Sequence, residues 1–200
     1  MSLRILRYWH AIIKEHRLFL LVASVLFFGS LVAGVLVGLL IPETAAALLE
    51  KLIQPLGEMA ESLRNKPLYI RAAYIFFNNA RVMIMMLVGA YLGGLIPPLV
   101  LLANGFLIGL FGSSPVMTEG IGLAGFLAAL APHGVFEIPA ILLSGMLGLR
   151  IAKELWSGLL GRPTETLGRV SRQILGFSPL MILLLLAAAI LEIYVSARLI

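Results

Sequence analysis

His133 and Glu137 stand four residues apart in the string Ala131-Pro132-His133-Gly134-Val135-Phe136-Glu137-Ile138-Pro139. An imidazole and a carboxylate at that spacing suit two kinds of chemistry. They can form a hydrogen-bonded pair, or they can act as two ligands to a divalent metal such as zinc. Their surroundings sharpen the question. Across the 68 residues from Val82 to Leu149, Glu119 and Glu137 are the only charged side chains and His133 is the only histidine. A carboxylate placed in a bilayer costs at least ~2.5–3.5 kcal/mol on insertion scales, so it calls for a proton, a cation or an opposite charge.

A second polar set precedes the first. Asn78-Asn79-Ala80-Arg81 places two amides and a guanidinium inside an apolar run, and Asn104 is the other strongly polar side chain of the core block. Arg81 is a ready counter-charge for Glu137, and the amide oxygens of Asn78 and Asn79 can donate to an ion. The expectation is one intramembrane polar site built from Asn78, Asn79, Arg81, Asn104, His133 and Glu137, with His133 and Glu137 as the metal candidates. Pro132, Gly134 and Pro139 all oppose continuous helix, so the backbone is expected to break at Pro132-His133-Gly134. That would put Glu137 near the N-terminus of a half-helix, where anions are favoured. No residue is assigned a catalytic role.

The elements that must hold these groups follow from composition. A mean hydropathy of +1.04 with 12% charged residues belongs to a polytopic membrane protein, and 200 residues leave room for about five spans. The fold class is therefore all-α, a transmembrane helical bundle. The basic residues cluster in two places rather than spreading over a surface, which excludes nucleic acid as a partner. With no cysteine, disulfides and thiolate chemistry are absent.

Residues 1–17 mix Arg4, Arg7, Lys14 and Arg17 with Leu3, Leu6, Trp9, Ile12 and Ile13, as an interfacial helix on an anionic leaflet does. Residues 18–41 form the first span, a retained signal anchor with Ser30, Gly34 and Gly38 as a small-residue ridge. Residues 43–64 are an amphipathic helix on the outer side. Residues 72–94 and 95–111 are the second and third spans, and 120–150 the broken fourth. Residues 173–197 are the fifth. The basic cluster at 1–17 and the basic loop expected at 150–172 are both placed in the cytoplasm, which requires an even number of crossings between them and hence one crossing for 120–150; two re-entrant half-helices there are the alternative, at the cost of a violation of the rule. The N-terminus is thus cytoplasmic and the chain is multi-pass in the cell membrane.

Taken in order, Asn78-Asn79-Ala80-Arg81, Asn104-Gly105 and the string from Pro132 to Ala140 resemble the stage II sporulation protein M family, firmly over residues 70–150. The resemblance implies a small helical membrane protein. In spore formers the family's namesake anchors a peptidoglycan-degrading complex during engulfment, and many relatives elsewhere have no settled activity. The expected function is a non-enzymatic membrane scaffold or envelope-remodelling component. Its expected partners are membrane lipid, a second copy in a homodimer joined through the Ser30/Gly34/Gly38 ridge and the Gly89/Gly93 pair, and other membrane or envelope proteins. The alternatives are a small transporter or channel subunit, and an intramembrane metallohydrolase.

Overall fold

A computed structural model describes residues 3–114, 122–162 and 167–195, without the side chains of residues 53, 55–60, 123–133 and 193–195. Among them are seven helices: α1 (Leu3–Glu15), α2 (Arg17–Leu40), α3 (Pro42–Arg64), α4 (Leu68–Gly89), α5 (Ile96–Gly112), α6 (Gly122–Leu159) and α7 (Leu167–Val195). Four stretches are long and apolar enough to cross a membrane: α2, α4, Gly134–Leu159 of α6 and Leu167–Glu192 of α7. α5 is equally apolar but has 17 residues, so it rises about 25 Å and sits at the short end of what spans a ~30 Å core.

The direction of each helix follows from which residues meet. A Cβ on Gly105 would strike the Phe27 carbonyl, one on Gly109 the Leu31 carbonyl, and one on Gly38 the Ser113 hydroxyl. The numbers rise together, so α2 and α5 are parallel. Gly148 packs on Pro97 and on the Met86 carbonyl, and Gly94 packs on Ala152, which makes α4 parallel to α6. Ser144 donates to Met181 Sδ at 3.2 Å while Ile151 clusters with Val170, so α7 is antiparallel to α6. The chain therefore crosses the bundle alternately through α2, α4, α5, α6 and α7. The start of α2, the α4–α5 turn, the end of α6 and the start of α7 all share one face, the basic face below.

Among the described helices α2 and α5 pack most closely. Ser30, Gly34 and Gly38 on one helix meet Gly105, Gly109 and Ser113 on the other, backbone against backbone, because none of these positions holds bulk. Ser30 and Ser113 bond to carbonyls of their own helices, Ser30 Oγ to Phe27 O and Ser113 Oγ to Gly109 O, so neither presents an unmet hydroxyl. The ridge expected to join two copies of the chain is thus occupied by α5 of the same copy. Gly89 is likewise filled by the Ile96 side chain, and Gly93 lies in the turn with φ +92°. A homodimer would need a different face.

Three expectations are corrected. The break at Pro132-His133-Gly134 does not occur: α6 is continuous from Gly122 to Leu159, through Pro139 as well. A proline removes one backbone bond, whereas a full break in hydrocarbon would strand several groups with no water to receive them. Glu137 consequently lies within a helix and not at a helix N-terminus. The 150–172 region is mostly helix rather than loop, since α6 carries Arg150, Lys153 and Glu154, and α7 begins at Leu167 with Arg169 and Arg172 in its opening turns. The second span ends at Gly89 because Gly93 and Gly94 both adopt positive φ. α6 stops at a Schellman motif: Gly161 has φ +65°, its N–H reaches Gly158 O, and the Arg162 N–H reaches Ser157 O at 2.9 Å.

Gly109→Leu should lower stability by about 1–3 kcal/mol, since the added carbons displace the α2 backbone. Gly29→Ala, where a Cβ meets nothing within 4 Å, should leave it unchanged. Thermal unfolding of the two variants in mild detergent checks this, and equal midpoints would refute the close contact.

Candidate functional site: two polar layers in the bundle

Of the six residues singled out in the sequence, the five with described side chains differ in how far they face inward. Asn79 is buried on α4, and its amide nitrogen has no hydrogen-bond partner among the described residues. Glu137 is buried on α6. Asn79 precedes Met83 by one turn and Glu137 precedes Ala140 by about one turn, and Met83 and Ala140 belong to one apolar cluster. Both polar groups therefore lie at similar height in the bundle, about a turn from that cluster and on the side away from the basic face. Asn104 is half-buried and spends its amide on its own helix, Nδ2 to Val100 O at 2.8 Å. Asn78 and Arg81 are exposed on the outward side of α4. Arg81 makes no ion pair or hydrogen bond among the described residues, so it is not the counter-charge of Glu137. The side chains of Pro132 and His133 lie outside the described residues, and so does Glu119. Among the described residues no three His, Cys, Asp or Glu side chains gather closely enough to hold a metal ion.

The second polar layer is one that composition alone did not reveal. At the basic face Arg150 and Glu154 form a buried ion pair one helical turn apart, at 5% and 3% exposure, and the Arg150 guanidinium lies 5.8 Å from the Phe19 ring centroid on α2. Nearby, the Glu15 carboxylate accepts from Arg169 at 2.9 Å and from the Gln173 amide at 3.0 Å. His16 Nε2 meets Gln173 Oε1 at 3.0 Å and is itself buried. Glu15, His16, Arg150, Glu154, Arg169 and Gln173 thus bind α1, α2, α6 and α7 into one end-plate. The i, i+4 spacing of Arg150 and Glu154 was the available signal, legible only if that region is taken as helix.

α1 is fastened by the same network. His16 is level with Gln173, Trp9 Nε1 donates to Gly176 O at 3.0 Å, and the Trp9 ring packs edge-on against Phe177. Arg4 and Ile5 border a groove with Pro179 and Leu183. α1 therefore slants back along α7 instead of lying flat on the surface. Tyr91 and Ser171 join at 2.7 Å, and Trp156 Nε1 donates to Gly93 O at 3.1 Å, which clamps the α4–α5 turn to the same plate.

Burial makes the Arg150–Glu154 pair sensitive to one-sided change. Glu154→Gln should cost about 3–5 kcal/mol by leaving a buried cation without its anion, whereas Arg150→Met with Glu154→Leu should cost much less. A double-mutant cycle on unfolding in detergent measures this, and purely additive effects would show that the two groups are not coupled.

The sequence pattern of the family described as stage II sporulation protein M matches residues 21–197. An uncharacterized protein of Methanocaldococcus jannaschii is 33% identical over 126 residues, covering 62% of this chain and 70% of that protein. No solved structure matches. The chain belongs to the stage II sporulation protein M family.

Proposed function

From that membership and the fastened α1, we propose that the chain is a non-enzymatic membrane scaffold that shapes the envelope or holds partners in it. In this reading all five alternating helices cross the bilayer, and the basic face is cytoplasmic. Seven Lys and Arg side chains of the described residues belong to that end of the bundle: Lys14, Arg17, Arg150, Lys153, Arg162, Arg169 and Arg172, while Arg4 and Arg7 follow α1 back along α7. That bias is what retains a segment on the cytoplasmic side. The observation that carries the scaffold reading is the Trp9–Gly176 bond with its surrounding contacts. A free amphipathic helix adapts to whatever leaflet it meets. One pinned along a transmembrane helix imposes its own tilt on the lipids around it. α3 supplies a second amphipathic element on the opposite side, with Ala45 and Leu49 packed on Leu110 of α5. The transporter reading drew on a broken helix at mid-membrane, and the continuous α6 removes that support.

Two experiments bear on this. In an otherwise cysteine-free chain, Lys153→Cys should resist a membrane-impermeant thiol reagent applied to intact cells and Glu50→Cys should react. The reverse pattern would invert the topology. In vesicles of anionic lipid the protein should narrow and shift the diameter distribution seen by electron cryomicroscopy. Trp9→Phe, which keeps the packing but deletes the indole donor, should weaken that shift. Vesicles indistinguishable from protein-free ones would sink the remodelling role.

A further inference from the structure

α4 presents an unusual outward stripe. Arg71, Tyr74, Asn78 and Arg81 recur at three and four residues, so they share one side of the helix. Tyr74, Asn78 and Arg81 are exposed and Arg71 is half-buried. The stripe starts near the far end of α4 and stops at Arg81. Beyond it the same side is apolar, with Met85, Val88 and Leu92 exposed up to the basic face.

The depth of Arg81 follows from the register. It stands eight residues, about 12 Å, before the end of α4 at Gly89 and thirteen, about 20 Å, after its start at Leu68. Helix side chains lean toward the helix N-terminus, so the guanidinium is directed away from the nearer, basic face. A charge at that depth, facing outward, is costly unless something meets it. Nothing in the described chain does. Beside it runs a groove of about 520 Å³ bordered by Phe77, Ile84, Met85, Val88 and Ile96, open to the outside.

We propose that this face of α4 is a docking site for a transmembrane helix of another membrane protein carrying a carboxylate at mid-span. The proposal rests on α4 crossing the bilayer, as in the reading above. Charge decides the occupant. Arg81 and Arg71 call for an anion, Asn78 and Tyr74 supply further hydrogen-bonding groups, and the apolar groove receives the side chains one or two turns along the visiting helix. A second copy of this chain does not supply that anion. The carboxylates in its described spans are Glu137 and Glu154, both buried, and Glu192, which lies near the far end of α7, and a two-fold pairing of α4 would set Arg81 against Arg81. A partner helix delivers its carboxylate to mid-depth already stripped of water, whereas a phospholipid would have to sink its headgroup there.

The test uses synthetic leucine–alanine transmembrane peptides that differ at one central residue: Glu, Gln or Lys. The full chain, labelled at a single cysteine in place of Lys66, is placed with acceptor-labelled peptide in neutral vesicles at mildly alkaline pH. Energy transfer should show the Glu peptide binding roughly tenfold more tightly than the Gln peptide, as a polar interhelical contact in a bilayer gives. The Lys peptide should bind least. Arg81→Gln should abolish the preference for Glu, and Arg81→Lys, which keeps the charge, should preserve much of it and guard against a folding artefact. Equal binding of the Glu and Gln peptides, with Glu50→Cys still labelled from outside, would overturn the docking site and leave the topology intact. Loss of that labelling would instead overturn the topology beneath it. Two further results would overturn the proposal: an anionic phospholipid retained by the wild type and lost in Arg81→Gln without any peptide preference, or Arg81-dependent transfer between two labelled copies of the chain.

Discussion

The close seam between α2 and α5 is the contact on which the rest of the bundle depends. Between apolar helices in lipid there is little hydrophobic gain in association, so attraction comes from how near the backbones can come. Gly34, Gly38, Gly105 and Gly109 remove every side-chain atom that would hold them apart. That proximity lets a helix of only 17 residues be retained in the bundle, and it fixes the height of Pro97 and Leu101. Those two residues in turn receive Gly148 and Gly145 of α6. The depth of α6, and hence of Glu137, is set by this chain of small-to-large contacts.

The two ends of the bundle differ in how they are held. Toward the far side α3 is joined to α2 and α5 by apolar contacts: Ala45, Leu49 and Leu110, with Val37 and Phe106 around them. At the basic face the joints are polar and charged, and four helices and one turn meet there. Polar joints are directional, since a carboxylate that serves both Arg169 and Gln173 does so in one arrangement only. The plate therefore sets orientation, while the glycine seam sets distance. The described structure divides these two tasks between regions of opposite composition.

Much of this was legible in the residue pattern. Long uncharged runs after Arg17 and after Gln173 placed α2 and α7, and alternation of basic clusters gave their relative directions. The failures are equally instructive. Pro132, Gly134 and Pro139 read as a break because proline is a poor helix residue in water, but in hydrocarbon the alternative is worse. Arg150 to Arg172 read as a loop because charge was taken for exposure, whereas Arg150 and Glu154 neutralise one another inside the bundle. The ridge at Ser30, Gly34 and Gly38 was correctly seen as a contact surface. Its partner was not, since a small-residue spacing says that a helix will approach and says nothing about which one. Of the polar set, burial of Asn79 and Glu137 and exposure of Asn78 and Arg81 depend on the rotation of α4 and α6, which apolar runs too uniform to show a moment do not encode.

The tie between Trp9 and Gly176 joins the first helix to the last, and this has a consequence for how the molecule is made. A ribosome adding about 5–20 residues per second needs on the order of ten seconds or more to pass from α1 to the middle of α7. Throughout that interval the indole donor of Trp9 and the imidazole of His16 have no acceptor waiting for them. The seam between α2 and α5 closes earlier, once α5 has been inserted. α1, made before the rest of the described bundle, is therefore secured after the α2–α5 seam, and it remains a loose, positively charged amphipathic helix until α7 is in place.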